Sequence, residues 1–345
     1  MSINKTVKNA LLVYSHPDSN VFNIGDYVQS IAAKQFLPNV NYYLDREHLN
    51  ENIGEDVRLI MNGWFMHRPE NWPPTPEITP LFVAFHLNKL VENEMLTDEG
   101  VRYLKKHEPI GCRDYYTVSL LKGKGVDAYF SGCLTLTLGN TYQHIDVPNA
   151  PIYLTDLNST LQHNFKFKIN CAIAIATKLH FLKKIQARML ERGIVKRLRT
   201  IAAFYVTYRS VLSDDVFVTA EYREQEIEDR FTSDDEKFNY ANELLNEYSK
   251  ARYVVTSRIH CALPCLAMGT PVVFVTNDLI GEVHNCRLDG LKQLFHTLDI
   301  DLNGIKCKIP GISKLTTSTA FKNKVDYKVL AERLISRCQA FIDKD

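Results

Sequence analysis

Residues 252–275, RYVVTSRIHCALPCLAMGTPVVFV, constrain the fold more than any other stretch of the chain. A β-branched run stops at Thr256-Ser257, a helix opens, Gly269-Thr270-Pro271 ends it, and a second apolar run follows. This strand–helix–strand unit is close to the minimum length, and its two strands must run parallel because the chain crosses the sheet between them. At the strand-to-helix junction, free backbone N–H groups and the positive end of the helix dipole suit an anion. Arg258 adds a planar fork of donors and His260 a group that exchanges protons near neutral pH. Read on chemistry alone, a second account stays open: Ser257 caps the helix, Arg258 pairs with an acid and His260 is a core residue.

The same alternation recurs on either side. Before it come strands at 9–16, 57–65, 80–87, 108–112 and 126–131, with helices at 25–37, 98–106 and 115–122. Residues 144–151, HIDVPNAP, carry two prolines and no periodicity, and are read as a linker. Beyond it the pattern predicts a strand at 151–156, a long helix at about 178–213, a strand at 216–219, a helix at 234–251 and a strand at 271–276. The implied fold class is α/β, with two Rossmann-like doubly wound domains facing across a cleft, at 1–147 and 148–320. Residues 321–345 add an amphipathic helix expected to cross back to the first domain, by analogy with other two-domain transferases.

Composition narrows the function. A chain of 345 residues exceeds one ordinary core, and a net charge of +1 argues against a protein that neutralises many phosphates of a nucleic acid. Residues 1–9 carry no apolar signal segment and no run is long enough to span a bilayer, so a cytoplasmic protein is expected. The eight cysteines include no CxxC pair and no zinc spacing, so they read as reduced and mostly buried, Cys261 and Cys265 on one helix face among them.

Four blocks together carry a resemblance. TSRIHCALPCLAMGTPVVFV, the tetrapeptide Asn23-Ile24-Gly25-Asp26, Pro109-Ile110-Gly111-Cys112-Arg113-Asp114, and residues 129–138 (YFSGCLTLTL) occur in an order similar to that of the polysaccharide pyruvyl transferase family. The resemblance spans about residues 10–275. It implies a GT-B-like fold and transfer of a pyruvyl group from phosphoenolpyruvate to two hydroxyls of a sugar, giving a cyclic ketal and phosphate. Neither a metal nor a cofactor is implied, phosphoenolpyruvate being a co-substrate.

Set against these residues, the resemblance places Ser257, Arg258, Ile259 and Arg113 on the donor and makes His260 a general acid. Asp26 is read as a base or acceptor ligand, and Asn23, Gly25 and Trp64 as acceptor-side residues. The plainer reading of Asn23, Gly25 and Asp26 is that they complement a helix N-terminus and a tight turn. The plainer reading of Arg113 is a loop-ordering partner of Asp114, and that of Trp64 a core aromatic. His284, Asn285 and Arg287 are further donor candidates. Lys184, Arg188, Arg192 and Lys196 place a cation every four residues, which suggests peripheral contact with the inner face of a membrane around 184–199, where lipid-linked acceptors would lie, or simply a solvated face. Two rival functions share the architecture: a nucleotide-sugar glycosyltransferase and a non-catalytic glycan-binding relative.

Overall fold

The computed structural model describes residues 7–16, 19–157, 165–279, 281, 285–302 and 304–344. It is a two-domain, GT-B-like α/β fold built on two six-stranded sheets. In the first half the chain runs β1 (Lys8–Val13), β2 (Val21–Asn23), α1 (Gly25–Lys34), β3 (Tyr42–Asp45), β4 (Val57–Phe65) and β5 (Ile78–Leu87). There follow α2 (Glu92–Met95), α3 (Asp98–Lys106), β6 (Ile110–Cys112), α4 (Tyr115–Gly123) and β7 (Ala128–Phe130). The second half contains β8 (Ile152–Thr155), α5 (Phe165–Leu190), α6 (Leu198–Tyr208), α7 (Asp214–Thr219), β9 (Glu221–Arg223) and β10 (Glu226–Glu228). It continues through α8 (Asp234–Ser249), β11 (Tyr253–Thr256), α9 (Ile259–Met268), β12 (Val272–Asn277), β13 (His296–Asp301), β14 (Gly304–Cys307) and α10 (Tyr327–Ile342).

The first sheet has the order β3-β1-β4-β5-β6-β7 and the second β9-β8-β11-β12-β13-β14. Counted along each half, the two orders are the same. Every pairing is parallel except β13 with β14. The order reverses between β1 and β4 in one sheet and between β8 and β11 in the other, and such reversals open a crevice beyond the carboxyl ends of the strands. A short antiparallel ribbon, β2 with β10, joins the halves, its rungs Asn23–Glu226, Phe22–Ile227 and Val21–Glu228.

One apolar core runs from the first sheet through α8 and α9 without a break, and a second lies under α5, α6 and α7 on the far face of the second sheet. The halves are therefore packed on each other rather than tethered. Tyr27 donates to Asp234 at 2.5 Å and Tyr142 to Asn242 at 2.5 Å across this contact. A side chain at Gly139 would stand 2.4 Å from the Ala267 carbonyl oxygen, so the 3-10 turn Leu134–Asn140 meets α9 only because residue 139 lacks one. Gly139→Ala is expected to cost about 1–3 kcal/mol, as overpacking does, with the urea-unfolding midpoint as the readout. The last helix, α10, packs on that same turn, and Arg58 Nη1 donates to the Ile342 carbonyl at 2.7 Å.

Several elements differ from the sequence reading. The helix expected over 178–213 is two helices, because Gly193 turns left-handed (φ 74°) after α5, its N–H donating to the Leu190 carbonyl and that of Ile194 to the Met189 carbonyl. Residues 216–219, read as a strand from their β-branched character, are helical: Ser213 followed by Asp214 and Asp215 is a helix start, and it outweighs Val-Phe-Val-Thr. The strand lies just beyond, at β9.

Candidate functional site

The two crevices face one cavity of about 210 Å³, lined by His16, Asn23, Asp26, Trp64, His67, Arg113, Gln225, Ser257, Arg258, Ile259, His260, Arg287 and Leu288. Residues far apart in sequence reach it by strand order: His16 follows β1, Trp64 ends β4, Arg113 follows β6, and Ser257 and Arg258 follow β11. Of the nine residues that the resemblance assigns to donor, acceptor or proton transfer, eight line it, and the ninth, Gly25, lies beside it.

Gly25 acts by absence. A Cβ there would stand 2.9 Å from His260 Cβ and 2.9 Å from Asn23 Oδ1, so glycine lets α1 approach α9 closely. Asn23 Oδ1 accepts the Gly25 N–H at 2.9 Å, satisfying one free donor of the helix start. Asp26, in the first turn of α1, accepts from Gln29 at 3.0 Å and faces Arg46 Nη1 at 3.6 Å.

Local chemistry explains His260 as well. Pro264 inside α9 has no N–H to give the carbonyl four residues earlier, and the His260 carbonyl instead accepts from Gln225 Nε2 at 3.4 Å. The ring is buried, with Nε2 lacking a partner among the described residues. Burial, followed by Arg113, Arg287 and Arg258, holds this imidazole well below the usual histidine range. It is neutral at pH 7.

The three arginines differ. Arg258 Nε donates to Asp156 Oδ2 at 2.9 Å and Nη1 to Glu226 Oε1 at 2.8 Å; burial works against its charge and the two carboxylates more than offset it. Ser257 Oγ donates to the Asp156 carbonyl. Asp156 itself sits in the left-handed region (φ 46°), a strained position that aspartate tolerates and that turns its carboxylate onto Arg258. Arg113 and Arg287, by contrast, have no carboxylate partner among the described residues, and the Nε of each is buried and unpaired. Burial, with Arg113 and Arg258, holds Arg287 below its ordinary value. Asp114 does not pair with Arg113. It caps α4 through Thr117 N–H at 2.8 Å and takes a 2.6 Å hydrogen bond from His86 Nδ1. Burial and then Arg113 push His86 down to about 4, so the pair is a neutral imidazole on a carboxylate that fixes the loop carrying Arg113.

The opposite wall is aromatic. A register shift between Met61 and Gly63 in β4, with Gly63 at φ 116°, is a bulge that re-aims Trp64. Trp64 is half-buried, packs 4.5 Å from His67, and has the Arg46 guanidinium 4.9 Å from its ring. Arg46 is buried, with Glu47 at 2.7 Å and Tyr14 on its other face at 4.9 Å. His16, also with an unpaired Nε2, completes this wall.

Arg46, His16, His67, Gln225 and Asp156 were not apparent from the sequence. Arg46 follows β3, whose Tyr-Tyr-Leu-Asp is only half-buried and gives no apolar run. Asp156 ends a strand that was read, and its place at the reversal beside Arg258 was the available signal. Of the further donor candidates, Arg287 lines the cavity, Asn285 contacts the Asn277 carbonyl at 3.4 Å, and His284 lies outside the described residues.

A parallel and a mixed sheet meeting at their crevices over a cationic pocket make up a two-domain GT-B-like α/β fold. The family model for polysaccharide pyruvyl transferase matches residues 23–278, and the chain belongs to that family. A search of curated proteins returns no match.

Proposed function

We propose that the protein moves the pyruvyl group of phosphoenolpyruvate onto two hydroxyls of one sugar in a glycan precursor. The observation that carries this reading is the grouping of Arg113, Arg258 and Arg287 around a neutral His260 whose Nε2 has no partner among the described residues. Phosphoenolpyruvate bears a phosphate and a carboxylate within a few ångströms, and two cations without carboxylate partners among the described residues plus a third answer that charge. In the reaction C2 gains two C–O bonds and loses its C–O bond to phosphate and its π bond to C3. Of the two hydroxyl protons, one ends on C3, which becomes a methyl, and one on the released phosphate. His260 Nε2 handles a proton at the donor and Asp26 faces the acceptor, whose ring stacks on Trp64. No further cofactor is called on.

A thermal-shift titration tests the donor. A ligand at about 100 times its Kd adds roughly 2.7 kcal/mol of apparent stability. Phosphoenolpyruvate should raise the transition in the parent protein and not in Arg258→Ala. A rise with nucleotide diphosphates alone would sink the reading and favour a nucleotide-sugar donor.

A further inference from the structure

Helix α5 is apolar on both sides. Its inner face, Cys171, Ala174, Leu182, Ile185 and Met189, is buried in the second core. Its outer face carries Phe165 (80 % exposed), Ile169 (43 %), Ile173 (51 %) and Leu179 (42 %), with exposed Ala172 and Ala176 between them. Phe165, Ile169 and Ile173 are four residues apart and form one stripe. An exposed apolar stripe rimmed by cations is the pattern of a helix that lies on a lipid surface. Among the described residues, no helix is long and apolar enough to cross a membrane, so a spanning role does not account for α5.

Charge selects the occupant. Residues 165–190 contain no Asp or Glu, while Lys166, Lys168, Lys183 and Lys184 are exposed and have no ion-pair partner among the described residues. The basic face anticipated at 184–199 is different. Arg188 pairs with Glu191 and Glu221, Arg192 with Glu221, and Lys196 with Glu224. Those cations are spent within the protein, and the unpaired ones flank the apolar stripe. A second copy of this helix would set lysine against lysine across a two-fold axis, which is repulsive; an anionic lipid surface complements both the stripe and its flanks. Lys178, at a kink in the helix, is tied to Asp214 at 2.7 Å and so anchors α5 to the body of the protein.

We propose that the outer face of α5, Phe165, Ile169, Ile173 and Leu179 flanked by Lys166, Lys168, Lys183 and Lys184, is a docking surface for an anionic lipid bilayer. This rests on α5 alone and holds whatever the donor. α5 covers the sheet face opposite α8 and α9, so the interface between the two halves stays clear of the bilayer.

Vesicle flotation of the full chain is the test, with phosphatidylcholine vesicles made with and without phosphatidylglycerol. Flotation is expected with phosphatidylglycerol only, and it should weaken as salt is raised. Lys166→Gln/Lys168→Gln should reduce affinity roughly fivefold per lysine, and Phe165→Ser/Ile169→Ser/Ile173→Ser should abolish flotation. All of these side chains are exposed, so unchanged urea-unfolding midpoints will show that both variants fold. No flotation with phosphatidylglycerol, or equal flotation of the triple-serine variant, overturns the proposal. So does light scattering that finds a dimer which the triple-serine change dissolves.

Discussion

His260→Gln should lower kcat by about a hundred- to ten-thousandfold while leaving most of the affinity for phosphoenolpyruvate in place. Glutamine keeps the size and polarity of the side chain and removes only its capacity to exchange a proton. In the structure the imidazole is neutral because burial, Arg113, Arg287 and Arg258 all disfavour its charge. A bound phosphate and carboxylate oppose the arginine field, so donor binding should raise the His260 pKa and take up a proton. Titration calorimetry in buffers of different ionisation enthalpy reads that uptake directly; parent protein should show it and His260→Gln should not. If uptake is absent from the parent and turnover survives the substitution, His260 is not the proton-handling group. Stability without donor follows the same shifts. The unfolded chain binds protons near 6.5 where His260, well below that value, and His86, pushed down to about 4, do not. The contribution of these two groups is therefore complete above pH 6.5 and declines as pH falls from 6.5 towards 4.

Arg287→Met should weaken donor binding about a hundredfold and make the donor-free protein more stable, by about 0.5–2 kcal/mol. The two effects have one origin. Arg287 sits beside Arg113 and Arg258 with no carboxylate of its own among the described residues, so its charge is unfavourable until an anion arrives. Methionine keeps the apolar stem and deletes the charge. Arg113→Met should weaken binding similarly with a smaller gain in stability, since Arg113 also favours the ionised form of buried Asp114. Urea unfolding without ligand, paired with a phosphoenolpyruvate titration, measures both terms. A stability loss in Arg287→Met would mean that the arginine holds the loop rather than a ligand.

The parts of this site legible in sequence were those that local rules govern. The strand–helix–strand unit at 253–277 and the amphipathic α10 announce themselves by period and by Gly-Thr-Pro punctuation. Arg113 and Arg258 each come just after a strand, a position that in a parallel sheet opens on the crevice, and His260 stands in the first turn of the helix that follows. Arg46, His16, His67 and Gln225 obey no local rule; they reach the cavity through strand order and through a ribbon of two three-residue strands too short to show a pattern. Ser213-Asp214-Asp215 shows the converse: a helix-start signal precedes Val-Phe-Val-Thr, whose β propensity points the other way, and the start signal prevails.

The common strand order of the two sheets bears on how such a protein can diversify. Each half brings its own reversal and its own crevice, so on this reading the aromatic wall at the ends of β1 and β4 can drift in composition while the cationic wall after β11 is held constant. On the proposed reading, exchanging a handful of residues around His16, Trp64 and His67 would change the acceptor and leave the donor site as it is. Arg113 spans the two: it rises from the first sheet but belongs to the cationic cluster, and so ties the aromatic wall to the cationic one.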